Sequence, residues 1–216
     1  VAHPTPLPQN APHLLGQFLK TATGTIQQTS IDGQLQKNVD KIVNRHGQLL
    51  AQNQIFNAAA IVVDNKTTKV IAYVGNTVPY GGQSHGNDVD IIKAPRSSGS
   101  ILKPFLYAAS LQDGLITPTG LLADVPTYYT DFSPQNYQRS FDGAVKANEA
   151  LSRSLNIPAV RMLDDYSGDR FLKILHNAGF GTLNKPANHY GLSLILGGGE
   201  VTLWDLANAY SAMARV

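Results

Sequence analysis

Near the middle of this chain of 216 residues lies the stretch Arg96-Ser-Ser-Gly-Ser-Ile-Leu-Lys-Pro-Phe-Leu-Tyr107. Within it, Ser100 and Lys103 are three residues apart, where the sequence predicts that a helix begins. Side chains at this spacing lie on one face of a helix, about one turn apart, and can touch. A serine hydroxyl becomes a nucleophile when a base takes its proton, and a buried lysine has a lowered pKa that suits this task. The spacing is therefore compatible with a serine nucleophile activated by a lysine.

The residues around this pair strengthen the catalytic interpretation. A Ser-x-x-Lys pattern occurs about once by chance in a chain of this length, and a serine N-cap followed by a solvated lysine is the simpler alternative. However, Gly99 frees the backbone before the serine, and Pro104 suits the first positions of a helix. The predicted helix, which runs to about Asp113, is apolar on nearly all sides and should be buried. A lysine at its start is therefore not an ordinary surface lysine.

A second polar pair, Ser154 and Asn156, lies at a predicted junction between two helices. Two side chains at this spacing in a turn can point into one cleft. There the serine could relay a proton to a leaving amine, and the asparagine amide could bind a substrate carbonyl while contacting the lysine. Alternatively, the two residues simply end one helix before a second helix that starts at Pro158.

Four segments of the chain resemble penicillin-binding proteins, and they keep the order of that family. Ser-Gly-Ser-x-x-Lys-Pro-Phe-x-Tyr is similar to the active-site serine motif, and the segment 150–160 resembles the second motif of the family. The hairpin at 56–75 and the segment 194–210 resemble the parts that flank these motifs. The likeness covers about residues 25–216 and is greatest to the transpeptidase domain of class A (bifunctional) members.

The resemblance implies a fold and a set of residue roles. The fold is α/β (α+β), like that of penicillin-binding proteins and β-lactamases, with an antiparallel sheet covered by helices and incomplete at the C-terminal side. The implied activity is that of a serine D,D-transpeptidase, which cross-links peptidoglycan stem peptides ending in D-Ala-D-Ala. Ser100 would form the acyl-enzyme and would also be acylated by β-lactams. Lys103 is the candidate base, Ser154 would shuttle the proton and Asn156 would orient the substrate; no cofactor or metal is implied.

Two other interpretations stay open at this point. The first is a β-lactamase, whose acyl-enzyme is hydrolysed faster than that of a transpeptidase, or a penicillin-sensing domain of the same fold. The second is a non-catalytic scaffold or interaction module that keeps the fold. The intact residues Ser100, Lys103, Ser154 and Asn156 argue against the second interpretation.

One family motif has no counterpart in the sequence. The family carries Lys-Thr/Ser-Gly downstream of the second motif, whereas the nearest pattern here, Lys66-Thr-Thr68, lies upstream in a predicted hairpin turn. By resemblance, the missing strand binds the substrate carboxylate and supplies one oxyanion-hole N–H, whose loss typically lowers the rate by about 10²–10³. We therefore expect a piece of a transpeptidase domain that is incomplete by itself, whose missing half is a separate chain or is absent.

Composition excludes several classes of function. The formal net charge of +2 gives no reason to expect binding to nucleic acid. The chain has no cysteine, which excludes disulfides, a cysteine nucleophile and a cysteine–zinc site. No run of about 18 apolar residues is present to span a membrane. By resemblance, we expect a location at the periplasmic or extracytoplasmic face of the bacterial inner membrane, with membrane contact only through an upstream segment.

The remaining segments give the expected organisation of the chain. Residues 1–24 hold four closely spaced prolines and should form a linker or extended arm, whereas residues 25–216 should form the N-terminal part of the transpeptidase domain, without the third-motif strand. His85, Asp88 and Asp90 lie in a long glycine-rich loop, where solvated side chains are favoured over a metal site. The other predicted elements are a helix capped by Ser30 or Asp32, a hairpin at 56–75, a loop-rich segment at 118–143, helices at about 144–155, from Pro158 and at about 169–178, and a last helix capped by Thr202.

Overall fold

The computed structural model describes residues 10–21, 26–130 and 132–215. Helices and short antiparallel strands alternate along them, which confirms the predicted mixed fold. The helices are α1 Pro12–Thr21, α2 Gly33–Ala51, α3 Lys103–Gln112, α4 Ala147–Ser152, α5 Asn156–Tyr166, α6 Gly168–Asn177, α7 Ala187–Tyr190 and α8 Leu203–Met213, with a 3₁₀ helix at Gly191–Leu196. The strands are β1 Ala60–Val63, β2 Val70–Val74, β3 Arg96–Ser97, β4 Leu121–Asp124, β5 Gly143–Lys146 and β6 Glu200–Val201.

The chain divides into two compact units, Val1–Ala94 with Thr202–Val216, and Pro95–Val201. In the described residues, the strands form three separate two-stranded sheets, β1–β2, β3–β6 and β4–β5, rather than one sheet. None of the described helices is long and apolar enough to cross a membrane.

The first unit is built on the predicted hairpin and the predicted helix α2. β1 and β2 pair from Ala60 opposite Val74 to Val63 opposite Val70. Asp32 caps α2, because its Oδ1 accepts hydrogen bonds from the backbone N–H groups of Gln34 (2.9 Å) and Leu35 (2.8 Å). Both predictions are confirmed.

The outer edge of β2 is covered by the segment that leads into α2. The Ser30 hydroxyl donates to the carbonyl of Val70 (2.7 Å), and the backbone N–H of Asp32 donates to the carbonyl of Ile71 (3.0 Å). Further along β2, the fully buried side chain of Gln36 makes the hydrogen bonds that a neighbouring strand would otherwise make. Its Oε1 accepts from Tyr73 N (2.7 Å), and its Nε2 donates to Tyr73 O (3.0 Å). One side-chain amide thus satisfies both backbone groups of a buried strand residue.

Replacing Gln36 by leucine should lower the free energy of unfolding by about 2–4 kcal/mol, because it leaves the buried N–H and C=O of Tyr73 without partners. Gln34→Leu is the matched control, since Gln34 is exposed on the same helix. Urea unfolding followed by circular dichroism measures both. Equal losses in the two variants would contradict the role assigned to Gln36.

The N-terminal segment differs from the prediction. Pro12–Thr21 form helix α1, so the prediction of an extended arm is wrong for these residues. Proline is tolerated here because it is the first residue of the helix, where no intrahelical N–H bond is needed. Two side-chain contacts hold the helix against the glycine-rich loop. His13 Nε2 lies 2.8 Å from Asn87 O, and Gln17 Nε2 donates to Asp90 Oδ2 (2.9 Å). Residues 1–9 and 22–24 of the predicted linker lie outside the described residues.

The side chains of the glycine-rich loop make structural contacts. His85 stacks on Phe56 with ring centroids 3.7 Å apart, and Asp90 accepts a hydrogen bond from the Tyr73 hydroxyl (2.6 Å). Within the described part of the chain, no three histidine or acidic side chains are grouped as metal ligands. α8 completes this unit: as predicted, Thr202 caps it through Asp205 N (3.0 Å), and α8 packs against β1.

The second unit surrounds α3. This helix is buried on most sides, as predicted, and packs against α5 and α6. Between α3 and α5, the chain differs from the prediction. β4 and β5 form a hairpin where a loop followed by a helix was expected. In addition, α4 begins at Ala147 rather than near Ala144. The strand pairing spans a connection of eighteen residues, which is too long to be recognised as a hairpin from local sequence.

Candidate active site

Ser100 lies in a turn directly before α3. The helix begins at Lys103, whose backbone N–H donates to the carbonyl of Ser100 (3.1 Å). Gly99 adopts φ +54°, a conformation that glycine accepts without strain, and this allows the sharp turn from β3 into the helix. Ser100 is half-buried and Ser98 is buried, so the turn is held in the body of the unit while the serine stays accessible.

A triple-glycine turn packs against the same segment. Gly197 has φ +104°, and its carbonyl accepts a hydrogen bond from the Ser97 hydroxyl (2.8 Å). A Cβ at Gly197 would lie 2.6 Å from Ser97 Oγ and 2.8 Å from Gly99 N. Next to it, Ser98 N donates to Gly199 O (3.1 Å), and β3 pairs with β6. The sequence indicated only a turn here, and the close approach to the Ser100 segment was not predicted.

Lys103 connects the two motifs. Its side chain is 1% exposed, and Nζ donates to Ser154 O (2.7 Å), Ser154 Oγ (3.3 Å) and Asn156 Oδ1 (2.7 Å). All three acceptors are neutral, so no carboxylate offsets the cost of burying the ammonium. Burial lowers the pKa of Lys103 to about 8. The Ser100 hydroxyl is not among its hydrogen-bond acceptors in the described structure.

Ser154 ends α4 in a left-handed conformation. Its φ is +55°, its N–H donates to Leu151 O (2.9 Å), and the next N–H, of Leu155, donates to Ala150 O (2.9 Å). This pair of bonds is the Schellman motif, in which glycine is the usual residue at the position of Ser154. A serine here costs about 1 kcal/mol in backbone strain. In this left-handed conformation, the carbonyl and the hydroxyl of Ser154 both face Lys103.

Asn156 is the first residue of α5, and it is fixed at both ends. Its Oδ1 accepts from Lys103, and its Nδ2 donates to Gln135 O (2.8 Å). The backbone N–H of Asn156 donates to Asn136 Oδ1 (2.9 Å). Because an amide carries two N–H bonds and Nδ2 has one acceptor among the described residues, one of its donors stays available to a ligand.

The structure therefore brings Lys103, Ser154 and Asn156 together, with Ser100 one turn before the lysine. A cleft of about 260 Å³ opens beside Ser154 in the same unit. It is lined by Asn136, Tyr137, Gln138, Ser140, Arg153, Ser154 and Leu155. Gln135 and Asn136 were missed from the sequence; the only local signal for them is a polar pair after Pro134 in a loop rich in aromatic residues.

Comparison with known proteins identifies the family of the chain. Residues 58–215 match the family model for the penicillin-binding protein transpeptidase domain. The chain is 38% identical over 98% of its length to penicillin-binding protein 1C of Escherichia coli, and 28% identical over 85% to penicillin-binding protein 1F of Bacillus subtilis. It spans about a quarter of the length of these relatives, 27% and 25%.

A solved structure shares the fold. The PonA1 protein from Mycobacterium tuberculosis, in complex with penicillin V, is 20% identical and superposes with a TM-score of 0.67 over 95% of this chain and 57% of that one. Since the family model covers most of the sequence and includes both motifs, the chain belongs to the penicillin-binding protein transpeptidase domain family.

Proposed function

We propose that this chain carries the catalytic serine, the base and the second motif of a serine D,D-transpeptidase that cross-links peptidoglycan stem peptides. The observation that supports it best is Lys103, an almost fully buried lysine whose three acceptors are neutral and come from the second motif. A lysine in this setting can be neutral near pH 8 and can act as a base. A purely structural role does not explain as simply why a lysine is buried here with only neutral hydrogen-bond partners among the described residues.

The proposed reaction proceeds in two acyl transfers. Ser100 Oγ attacks the carbonyl between the two D-alanines as the amine of Lys103 takes its proton. The proton passes by way of Ser154 to the leaving nitrogen, so that D-alanine departs and an ester forms on Ser100. An amine from a second stem peptide then attacks the ester and restores the serine. The free N–H of Asn156 would bind a substrate carbonyl.

Several parts of the proposal concern more than these 216 residues. The sequence contains no Lys-Thr/Ser-Gly motif, and we propose that the strand carrying it lies outside this chain or on a separate chain. β-Lactams should acylate Ser100, as suggested by the relative solved in complex with penicillin V. The expected location is the extracytoplasmic face of the bacterial inner membrane, with an anchor upstream of this chain.

The proposal is tested by labelling with a fluorescent penicillin. The full-length protein and the Ser100→Ala variant are incubated with the label and measured by intact-mass spectrometry. We expect one covalent adduct in the wild type, mapped to the peptide that contains Ser100, and none in the variant. An adduct that survives in Ser100→Ala would place the nucleophile elsewhere, and no adduct in either would favour a non-catalytic scaffold.

The stability of the adduct separates a transpeptidase from a β-lactamase. A transpeptidase keeps its penicilloyl ester for many minutes, whereas a β-lactamase hydrolyses it and releases the opened drug. We expect stoichiometric labelling without turnover of the penicillin. Sustained hydrolysis would assign the protein to the β-lactamases instead.

Ser154→Gly should separate the hydroxyl of Ser154 from its backbone role. Glycine relieves the strain at φ +55°, so we expect the free energy of unfolding to rise by about 0.5–1 kcal/mol. Without the hydroxyl relay, the rate of penicillin acylation should fall about 10²-fold. Ser154→Ala, which loses the hydroxyl but keeps the strain, should lose the same rate without gaining stability. A purely structural role would instead leave the acylation rate of Ser154→Gly unchanged.

A further inference from the structure

Two buried polar side chains organise the loop between β4 and β5. Asp124 is 0% exposed and Asn136 is 5% exposed, although both are polar. Asn136 Nδ2 donates to Asp124 Oδ1 (2.7 Å) and to Ser140 O (3.0 Å). The second oxygen of Asp124 accepts from the backbone N–H of Asp142 (2.9 Å). Buried polar groups of this kind are costly unless they are hydrogen-bonded, and each side-chain oxygen and nitrogen of these two residues has a partner.

The bonds to Asp124 and Ser140 determine which way the amide of Asn136 points. Because its Nδ2 is used on these two acceptors, its Oδ1 faces the N-terminus of α5. There it accepts from Asn156 N (2.9 Å) and Ile157 N (3.3 Å). The helix's own N-cap residue, Leu155, provides no side-chain cap. An asparagine twenty positions upstream therefore caps this helix in its place.

The same loop also orients the side chain of Asn156. The carbonyl of Gln135, the neighbour of Asn136, accepts from Asn156 Nδ2 (2.8 Å). With its nitrogen turned to Gln135, the amide presents its oxygen to Lys103 Nζ at 2.7 Å. Residues 135 and 136 thus hold the backbone and the side chain of Asn156 at once. An uninterrupted path of hydrogen bonds joins Asp124, Asn136, Asn156 and Lys103.

We propose that Asn136, oriented by the buried carboxylate of Asp124, is a positioning residue of the acyl-transfer site. It acts through Asn156, which it fixes so that Oδ1 contacts Lys103 and one N–H stays free for the substrate carbonyl. This role rests on the proposed function, since it assumes that Lys103 is the base. Displacements of about 1 Å in such a site typically cost about 10²-fold in rate.

The test uses three variants of the full-length protein. Asn136→Leu has a similar shape but removes the donor and the acceptor. Asn136→Asp combined with Asp124→Asn exchanges the pair: the new amide at 124 can donate to the new carboxylate at 136, which still accepts from Asn156 N but can no longer donate to Ser140 O. Ser133→Ala, exposed in the same loop, is the control.

Two quantities are measured for each variant that circular dichroism shows to be folded. The first is penicillin acylation, separated into the noncovalent dissociation constant and the rate constant of the covalent step. We expect Asn136→Leu to lower the rate constant about 10²-fold with little change in the dissociation constant, and we expect the exchanged pair to recover part of the lost rate. An unchanged rate constant in folded Asn136→Leu would overturn the proposal, as would no recovery in a folded exchanged pair.

The second quantity is hydrogen–deuterium exchange of the peptide around Asn156, which does not depend on catalysis. Exchange should be faster in Asn136→Leu and close to wild type in the exchanged pair and in Ser133→Ala. If Asn136→Leu does not fold, the exchanged pair alone decides, by its acylation and its exchange. If even the wild type forms no adduct, the proposed function fails, while unaltered exchange around Asn156 in Asn136→Leu would separately refute the positioning role.

Discussion

Replacing Lys103 by methionine should lower the rate of penicillin acylation by about 10³–10⁴-fold, the loss typical of removing a general base. Methionine keeps most of the side-chain length but cannot take the proton of Ser100. Lys146→Met is the matched control, because Lys146 is exposed and lies directly before α4 of the same unit. Stopped-flow labelling with a fluorescent penicillin measures the rate. An acylation rate of Lys103→Met within tenfold of wild type would exclude Lys103 as the base.

The same lysine predicts the pH dependence of the wild type. Burial lowers the pKa of Lys103 to about 8, so the neutral amine is the minor form below that pH and the major form above it. The acylation rate should rise about tenfold per pH unit below pH 8 and level off above it, so that about one-hundredth of the plateau remains at pH 6. A rate that keeps rising toward pH 10.5 would instead indicate a lysine with an ordinary pKa.

Gly197→Ala should lower both the acylation rate and the stability, although Gly197 makes no contact with a substrate in the proposed mechanism. The added Cβ would lie 2.6 Å from Ser97 Oγ and 2.8 Å from Gly99 N, and alanine is strained at φ +104°. Either the triple-glycine turn or the segment that carries Ser100 must move. We expect the acylation rate to fall about 10²-fold and the free energy of unfolding to fall by about 1–3 kcal/mol.

Gly181→Ala provides the control for this substitution. Gly181 is in the same unit, has no atom within 4 Å of an added Cβ, and does not have a positive φ. Its acylation rate should equal that of the wild type. If Gly197→Ala also acylates at the wild-type rate, the contact between the triple-glycine turn and the Ser100 segment has no part in positioning the nucleophile.

Features with a local signal could be predicted from the sequence. Thr202 was identified as a cap, and Asp32 as one of two candidate caps with Ser30, because a cap depends on residues two or three positions away. The burial of Lys103 followed from the apolar helix that it begins. By contrast, the helical segment Pro12–Thr21 was predicted as linker, since the density of prolines hid the fact that Pro12 only starts the helix.

Features that depend on distant contacts could not be predicted. β4 and β5 are short, and each becomes a strand by pairing with the other across a long loop. The cap that Asn136 provides to α5 depends on that hairpin, because Asp124 at the end of β4 orients the asparagine. Nor does the sequence show that Ser154 is left-handed, since many serines follow helices without this conformation. In the candidate site, the resemblance predicts the residue types, whereas the fold is needed to show which neighbouring residues hold them in position.

The division into two units has a consequence for the order in which the chain folds during synthesis. The unit from Pro95 to Val201 is continuous in sequence and includes Ser100, Lys103, Ser154 and Asn156. The other unit needs both ends of the chain, since α8 packs against β1 and the N–H of Trp204 donates to Ile92 O (3.2 Å). As the ribosome synthesises the chain from its N-terminus, the first hairpin is made early, but its contacts with α8 can form only after α8 has been synthesised. The unit with the four candidate site residues can therefore complete its own contacts before the other unit.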